Sequence, residues 1–160
     1  MCDNPYFLKP ILSLDMEISE IIPFLYSIFE NDFKKNTVCY KNIKVIYNPK
    51  IELDGQGKEE GFWHVISKDN NVNNRLIDYP RAKRLHWAKP LMEEGINPEI
   101  KIWEYQEGNK DKNIRTYIWL ENYDYIVILQ KNKEYFYWIS AFYVEKWNKR
   151  ELYNKYQKRL

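Results

Sequence analysis

Both histidines of this chain fall within residues 61–90. His64 sits in an apolar run, Gly61-Phe62-Trp63-His64-Val65-Ile66-Ser67-Lys68. His86 sits in a basic one, Asp78-Tyr79-Pro80-Arg81-Ala82-Lys83-Arg84-Leu85-His86-Trp87-Ala88-Lys89-Pro90. An imidazole moves protons near neutral pH, and neighbouring guanidinium or ammonium groups hold phosphate, so metal-independent RNA cleavage would draw on such a set. Ordinary folded surfaces contain the same set by chance.

Among apolar neighbours, His64 is the leading candidate for a general acid or base, with a hydrogen-bonded core histidine as the bland alternative. His86 ranks below it. Successive helical residues turn by about 100°, so His86 cannot share one narrow face with both Arg81 and Arg84. Those two arginines are three apart, adjacent on a helix surface, and offer two planar forks to phosphate. Trp87, three further on, would add a stacking ring if exposed; a core tryptophan with solvated arginines fits the spacing equally well.

These residues need elements to position them. Residues 14–35 carry apolar side chains at a helical period, with Pro23 a point where the helix breaks or restarts. A short strand is expected within 38–51, where Ile43, Val45, Ile46 and Tyr47 gather before Asn48-Pro49. Asp54-Gly55-Gln56-Gly57 marks a turn, and Asn70, Asn71, Asn73 and Asn74 mark a polar loop. Pro80 suits a helix first turn, Pro90 is the expected end of that helix, and Gly95 is its outer limit.

The period then changes to two. Residues 100–106, 114–121, 125–130 and 135–144 are four strand candidates joined by short connectors that include Gly108-Asn109 and Asn122, as in an antiparallel meander. In the second of them Arg115, Tyr117 and Trp119 share one face, which would be an open surface if helices covered only the other. In the last, alternation puts Ser140 with Trp138 and Phe142, and Tyr143 opposite with Ile139 and Ala141. A hydroxyl satisfied within the sheet is the plainer reading of Ser140. The stretch from Glu145 reads as a basic helix or tail.

Helices first and a four-stranded antiparallel sheet after them, closed by a basic C-terminal helix, make an α+β fold in a single domain, 1–160. Residues 1–58 form its helical or irregular part. At 160 residues and 44% apolar side chains, the chain is long enough and apolar enough to bury a core. Its 25 basic and 23 acidic residues leave only +2, so any nucleic-acid case must rest on local charge. That charge is sorted along the chain: net −3 over 1–35, +3 over 78–90 and +5 over 146–160. Fourteen Tyr, six Trp and seven Phe build strands and cores well, and a surplus on one face can stack bases.

Cys2 and Cys39 make neither a disulfide framework nor a zinc site, and no apolar run is long enough to span a bilayer. A cytoplasmic protein without a signal segment, membrane contact, metal or other cofactor is the expectation. Gly-rich phosphate loops of the Walker or dinucleotide type are lacking.

The pattern resembles the phage- and mobile-element-associated nucleases of the Barnase, EndoU, colicin and RelE class, the BECR fold. The resemblance runs from Gly61-Phe62-Trp63-His64-Val65-Ile66 through Arg81-Ala82-Lys83-Arg84-Leu85, Trp87 and Pro90. It resumes at Trp119-Leu120 and Asp124-Tyr125-Ile126-Val127-Ile128-Leu129, and ends at Ser140-Ala141-Phe142-Tyr143-Val144, covering about 60–156. It implies a nuclease-like core over 59–160 that cuts RNA through the ribose 2′-hydroxyl without a metal. His64 would be the acid or base, Arg81 and Arg84 the phosphate holders, and Ser140 the last-strand hydroxyl. Catalysis would fall to His64, Arg84 and Ser140, and substrate contact to Arg81, Trp87, Arg115, Tyr117, Trp119 and Tyr143.

Tyr143, Arg115 and Lys68 remain open as the second proton-transfer group. A toxin or defence effector acting on RNA, with an antitoxin or immunity protein as a further partner, is one expectation. A noncatalytic RNA- or protein-binding module of the same fold is the alternative.

Overall fold

The computed structural model describes residues 5, 7–68, 75–94, 97–108 and 113–160. The expectations placed on Cys2, the Asn70 to Asn74 loop, Gly95 and Asn109 lie outside these residues. The architecture is α+β, in three layers: a set of helices, a mixed sheet, and a last helix on the sheet's other face.

Helix α1 (Ile18–Phe29) buries Ile21, Leu25 and Phe29 on one face and runs unbroken through Pro23. It passes into a π-helical turn, Glu30–Lys34, closed by the Lys35 amide on the Glu30 carbonyl at 2.8 Å. Strands β1 (Cys39–Tyr40) and β2 (Ile43–Ile46) form a hairpin whose turn residues, Lys41 and Asn42, both have positive φ, as a tight two-residue turn requires.

Helix α2 (Glu60–Ile66) holds the His64 segment and buries Phe62, Trp63, Val65 and Ile66. It lies so close to the preceding loop that a Cβ on Gly61 would stand 2.9 Å from the Tyr47 Cβ. Only glycine fits there without a shift.

The expected helix over 80–90 is three short pieces: α3 (Tyr79–Ala82), a 3₁₀ turn (Leu85–Trp87) and α4 (Ala88–Glu93). Asp78 caps α3 by accepting from the Arg81 amide at 3.2 Å. Pro90 starts a helix rather than ending one. It occupies the first turn of α4, where a missing N–H costs nothing.

Strands β3 (Lys101–Gln106), β4 (Ile114–Leu120), β5 (Tyr125–Lys131) and β6 (Phe136–Tyr143) form the expected antiparallel meander. The sheet is nevertheless six-stranded and mixed, in the order β1-β2-β6-β5-β4-β3. Strand β2 joins β6 in parallel, through Val45 opposite Phe136 and Ile46 opposite Tyr137. The four-stranded, all-antiparallel expectation is corrected by this pairing. Apolar spacing marks β2 as a strand, but nothing local reveals a partner so distant in the chain.

One core packs α1, α2 and the 80–93 pieces against Ile118, Leu120, Val127 and Leu129. A second lies on the opposite face, where Trp103, Tyr117, Trp119, Ile126 and Ile128 meet α5 (Lys146–Gln157) through Leu152 and Tyr156. None of the described helices is long and apolar enough to cross a membrane.

Candidate active site

Strand β2 covers β6 only at Phe136 and Tyr137. Beyond them the β6 edge meets no strand among the described residues, and α2 and α3 pack beside it instead. A groove of about 880 Å³ opens there, between α2, the start of α3, the C-terminal half of β6 and the start of α5. His64 and Lys68 line one side, and Ser140, Phe142 and Tyr143 line the other. Arg81 forms part of the wall, and Trp147, 77% exposed, stands at the α5 end.

Helix α2 aims His64 at the groove because its other apolar positions face the core. The N-terminal amides of the helix are tied down by loop carbonyls, Glu60 to Lys50 at 2.7 Å and Gly61 to Asn48 at 3.0 Å. Trp63 donates to the Gly55 carbonyl at 3.1 Å, and the Arg75 guanidinium, bonded to Asp54 and Glu60, lies over the Trp63 ring. His64 is half-buried, and its ring makes no hydrogen bond among the described residues. A core histidine satisfied by neighbours would not look like this.

Ser140 reaches the groove through a fault in the strand. The β5–β6 register shifts between Ile128, opposite Ser140, and Leu129, opposite Trp138, so Ile139 is an extra residue. Trp138 and Ala141 therefore both face the main core, while Ser140 and Phe142 turn toward the α5 side. Simple alternation had put Ser140 with Trp138; the bulge overturns that pairing. Trp138 donates to the Ser140 carbonyl at 3.1 Å.

The two arginines diverge. Arg81 Nη1 donates to the carbonyls of His64 and Ser67, at 2.8 and 2.9 Å, and its Nε lies 3.5 Å from Asp78. It thus holds the C-terminal end of α2, where helix carbonyls lack partners. Arg84 donates to the Pro80 carbonyl at 2.7 Å and lies 4.5 Å from the Tyr143 ring centre. It touches the groove through Tyr143 rather than lining it. Burial pushes both guanidinium pKa values down, with Asp78 opposing this at Arg81 and Tyr143 at Arg84. Tyr125 is fully buried, its hydroxyl has no hydrogen-bond partner among the described residues, and burial pushes its pKa up against the pull of Arg81 and Arg84.

No family model, curated protein or solved structure matches this chain.

Four further sequence candidates lie elsewhere. Trp87 is 1% exposed, donates to the Lys9 carbonyl at 2.8 Å and packs edge-on against Tyr125. Tyr117 and Trp119, at 1% and 0% exposure, belong to the second core. The expected open aromatic face is a helix-covered one, because α5 folds back over it. Arg115 is on the same strand as these two, separated from β6 by β5, and does not line the groove.

Of the open proton-transfer candidates, Tyr143 and Lys68 line the groove. Trp147 was missed. Its signal was available, since a tryptophan in a segment of net charge +5 suits exposure better than burial. Among the described residues no cluster of three or more His, Cys, Asp or Glu could hold a metal ion.

Proposed function

We propose that this protein is a metal-independent endoribonuclease of the toxin or defence-effector kind, acting on RNA laid in the groove beside β6. One observation carries the reading. His64, Lys68, Arg81, Ser140 and Tyr143, drawn from three separate parts of the chain, line a single groove of about 880 Å³, within the usual size of a ligand site. The resemblance of 60–156 to BECR-fold nucleases points the same way.

In this reading His64 takes the proton from a ribose 2′-hydroxyl, and the oxygen attacks the adjacent phosphorus. The P–O5′ bond breaks, leaving a 2′,3′-cyclic phosphate. The departing 5′-oxygen takes a proton from Tyr143 or Lys68. Arg81, Arg84 and Lys68 supply positive charge as the phosphorane forms, and the Ser140 hydroxyl donates to a phosphate oxygen. Trp147 offers a ring on which an unpaired base can stack.

The test is cleavage of a labelled single-stranded RNA in EDTA. The expected products carry 2′,3′-cyclic phosphate ends, and folded His64→Ala protein leaves the RNA intact. Full cleavage by that variant refutes the assignment.

A second reading, a noncatalytic RNA-binding module, has an observation of its own. Arg81 Nη1 is spent on the carbonyls of His64 and Ser67, so the guanidinium expected on phosphate is occupied within the fold. This reading predicts RNA binding that weakens steeply with salt and no cleavage by the unaltered protein.

A further inference from the structure

A second cavity, of about 630 Å³, shares no residue with the groove beside β6. It lies under an N-terminal strap that is pinned across the 3₁₀ turn. The Leu12 amide donates to the Lys83 carbonyl at 2.9 Å, the Trp87 indole to Lys9 at 2.8 Å, and His86 Nε2 to Pro10 at 2.7 Å. A carbonyl can only accept, so Nε2 carries the hydrogen in the last of these bonds. The demoted histidine and the buried Trp87 therefore share one structural task, which is to hold the roof of this cavity.

Leu12 and Ile28 give the cavity an apolar interior, while Lys9, Lys89 and Asp32 bring charge to it. Asp32 is placed by the π-helical turn, a wide turn that recurs at functional sites. Among the described residues neither lysine has an ion-pair partner within 4.0 Å. Two cations thus face one carboxyl. Burial pushes the Asp32 carboxyl above its ordinary range in spite of the hydrogen bond from Asn31 and the charges of Lys89, His86 and Lys9, and it pushes the His86 imidazole down. Lys9 and Lys89 against the single Asp32 carboxyl leave the balance positive. A pre-formed space of this size with an apolar interior and unpaired cations fits a small molecule better than a macromolecule.

We infer that this cavity binds a small amphiphilic anion, its acidic head held by Lys9 and Lys89 and its apolar body lying against Leu12 and Ile28. The site is independent of the groove beside β6 and of any RNA cleavage there.

The test uses the full chain and two dyes of nearly the same shape. 1-Anilinonaphthalene-8-sulfonate carries the acidic head, and N-phenyl-1-naphthylamine lacks it. The sulfonate is expected to bind saturably at one site by fluorescence titration. Lys89→Glu should weaken it about tenfold or more while leaving the neutral dye unchanged. Ile28→Trp, which fills the space, should remove the binding of both. Absence of saturable binding by the unaltered protein, or sulfonate binding by Lys89→Glu as tight as before, overturns the proposal. If circular dichroism shows Ile28→Trp unfolded, the charge reversal decides alone.

Discussion

Two regions of the sheet combine aromatic rings with cations, and the fold treats them in opposite ways. On the face carrying Trp103, Tyr117 and Trp119, helix α5 lies over the rings, with Tyr156 edge-on to Trp103 and Tyr153 edge-on to Trp119. At the β6 edge Phe142, Tyr143 and Trp147 border an open groove. The difference lies in what the neighbouring polar groups do.

Under α5 the cations are paired. Lys155 bonds Glu107 at 2.8 Å beside the Tyr117 hydroxyl, and Lys101 bonds Glu121 at 2.8 Å beside the Tyr153 hydroxyl. In the groove Lys68 is exposed, and His64 and Ser140 have no side-chain partner among the described residues. Aromatic content alone therefore does not mark an open face; what differs is the pairing of the cations beside the rings and the return of α5 over them.

The strongest way to break this contrast is to remove a ring from the covered face. Trp119→Ala deletes a fully buried indole that contacts both Trp103 and Tyr153, and it should cost about 3–5 kcal/mol in urea unfolding. A loss below about 1 kcal/mol would mean that α5 does not seal this face in solution.

Arg81→Lys comes next, because an ammonium cannot reproduce the fork that holds two α2 carbonyls. The expected loss is about 1–3 kcal/mol, with RNA cleavage falling as His64 loses its support. Unchanged stability would free Arg81 from the structural role and return it to the phosphate.

These two sites also show how far the chain could be read directly. Alternation sorted β4 correctly, with Arg115, Tyr117 and Trp119 on one face, since period two is a local property of an extended backbone. What lay over that face was not local. The cover depends on where α5 returns, and its amphipathic signal is weak because only Leu152 is buried from it.

The same division holds elsewhere. His64 and Ser140 could be singled out by type. The bulge at Ile139 that turns Ser140, the parallel docking of β2 and the breaks that split 80–93 into three pieces all depend on distant packing. Arg81 and Arg84 show the limit most plainly, since spacing made them a pair and tertiary contacts sent them to different partners.

A smaller effect should appear with pH. Burial raises the Glu107 carboxyl, but its hydrogen bonds to Lys155 and Tyr117 outweigh burial and hold it below the ordinary value of 4.5. A group depressed in the folded state contributes stability above its unfolded pKa and loses it as pH falls through the folded one. Unfolding midpoints of the unaltered protein should therefore drop as pH falls from the ordinary glutamate range into the acid. Glu107→Gln should start lower at neutral pH and show a flatter decline. Identical slopes would separate the clamp from the docking of α5.

The smallest effect on stability belongs to Trp147, the open counterpart of Trp119. With 77% of its surface in water it has little burial to lose, and Trp147→Ala should shift unfolding by less than about 0.5 kcal/mol. Its consequence should lie in RNA affinity. Stacking on one base contributes about 1–3 kcal/mol, so a 2′-O-methyl oligonucleotide, which cannot be cut, should bind Trp147→Ala more weakly and Trp147→Phe nearly as before.

The uncuttable strand separates binding from chemistry. If Trp147→Ala holds it as tightly as the unaltered protein does, the exposed ring is not part of the site. The contrast between the two aromatic regions would then reduce to one covered face and one bare edge.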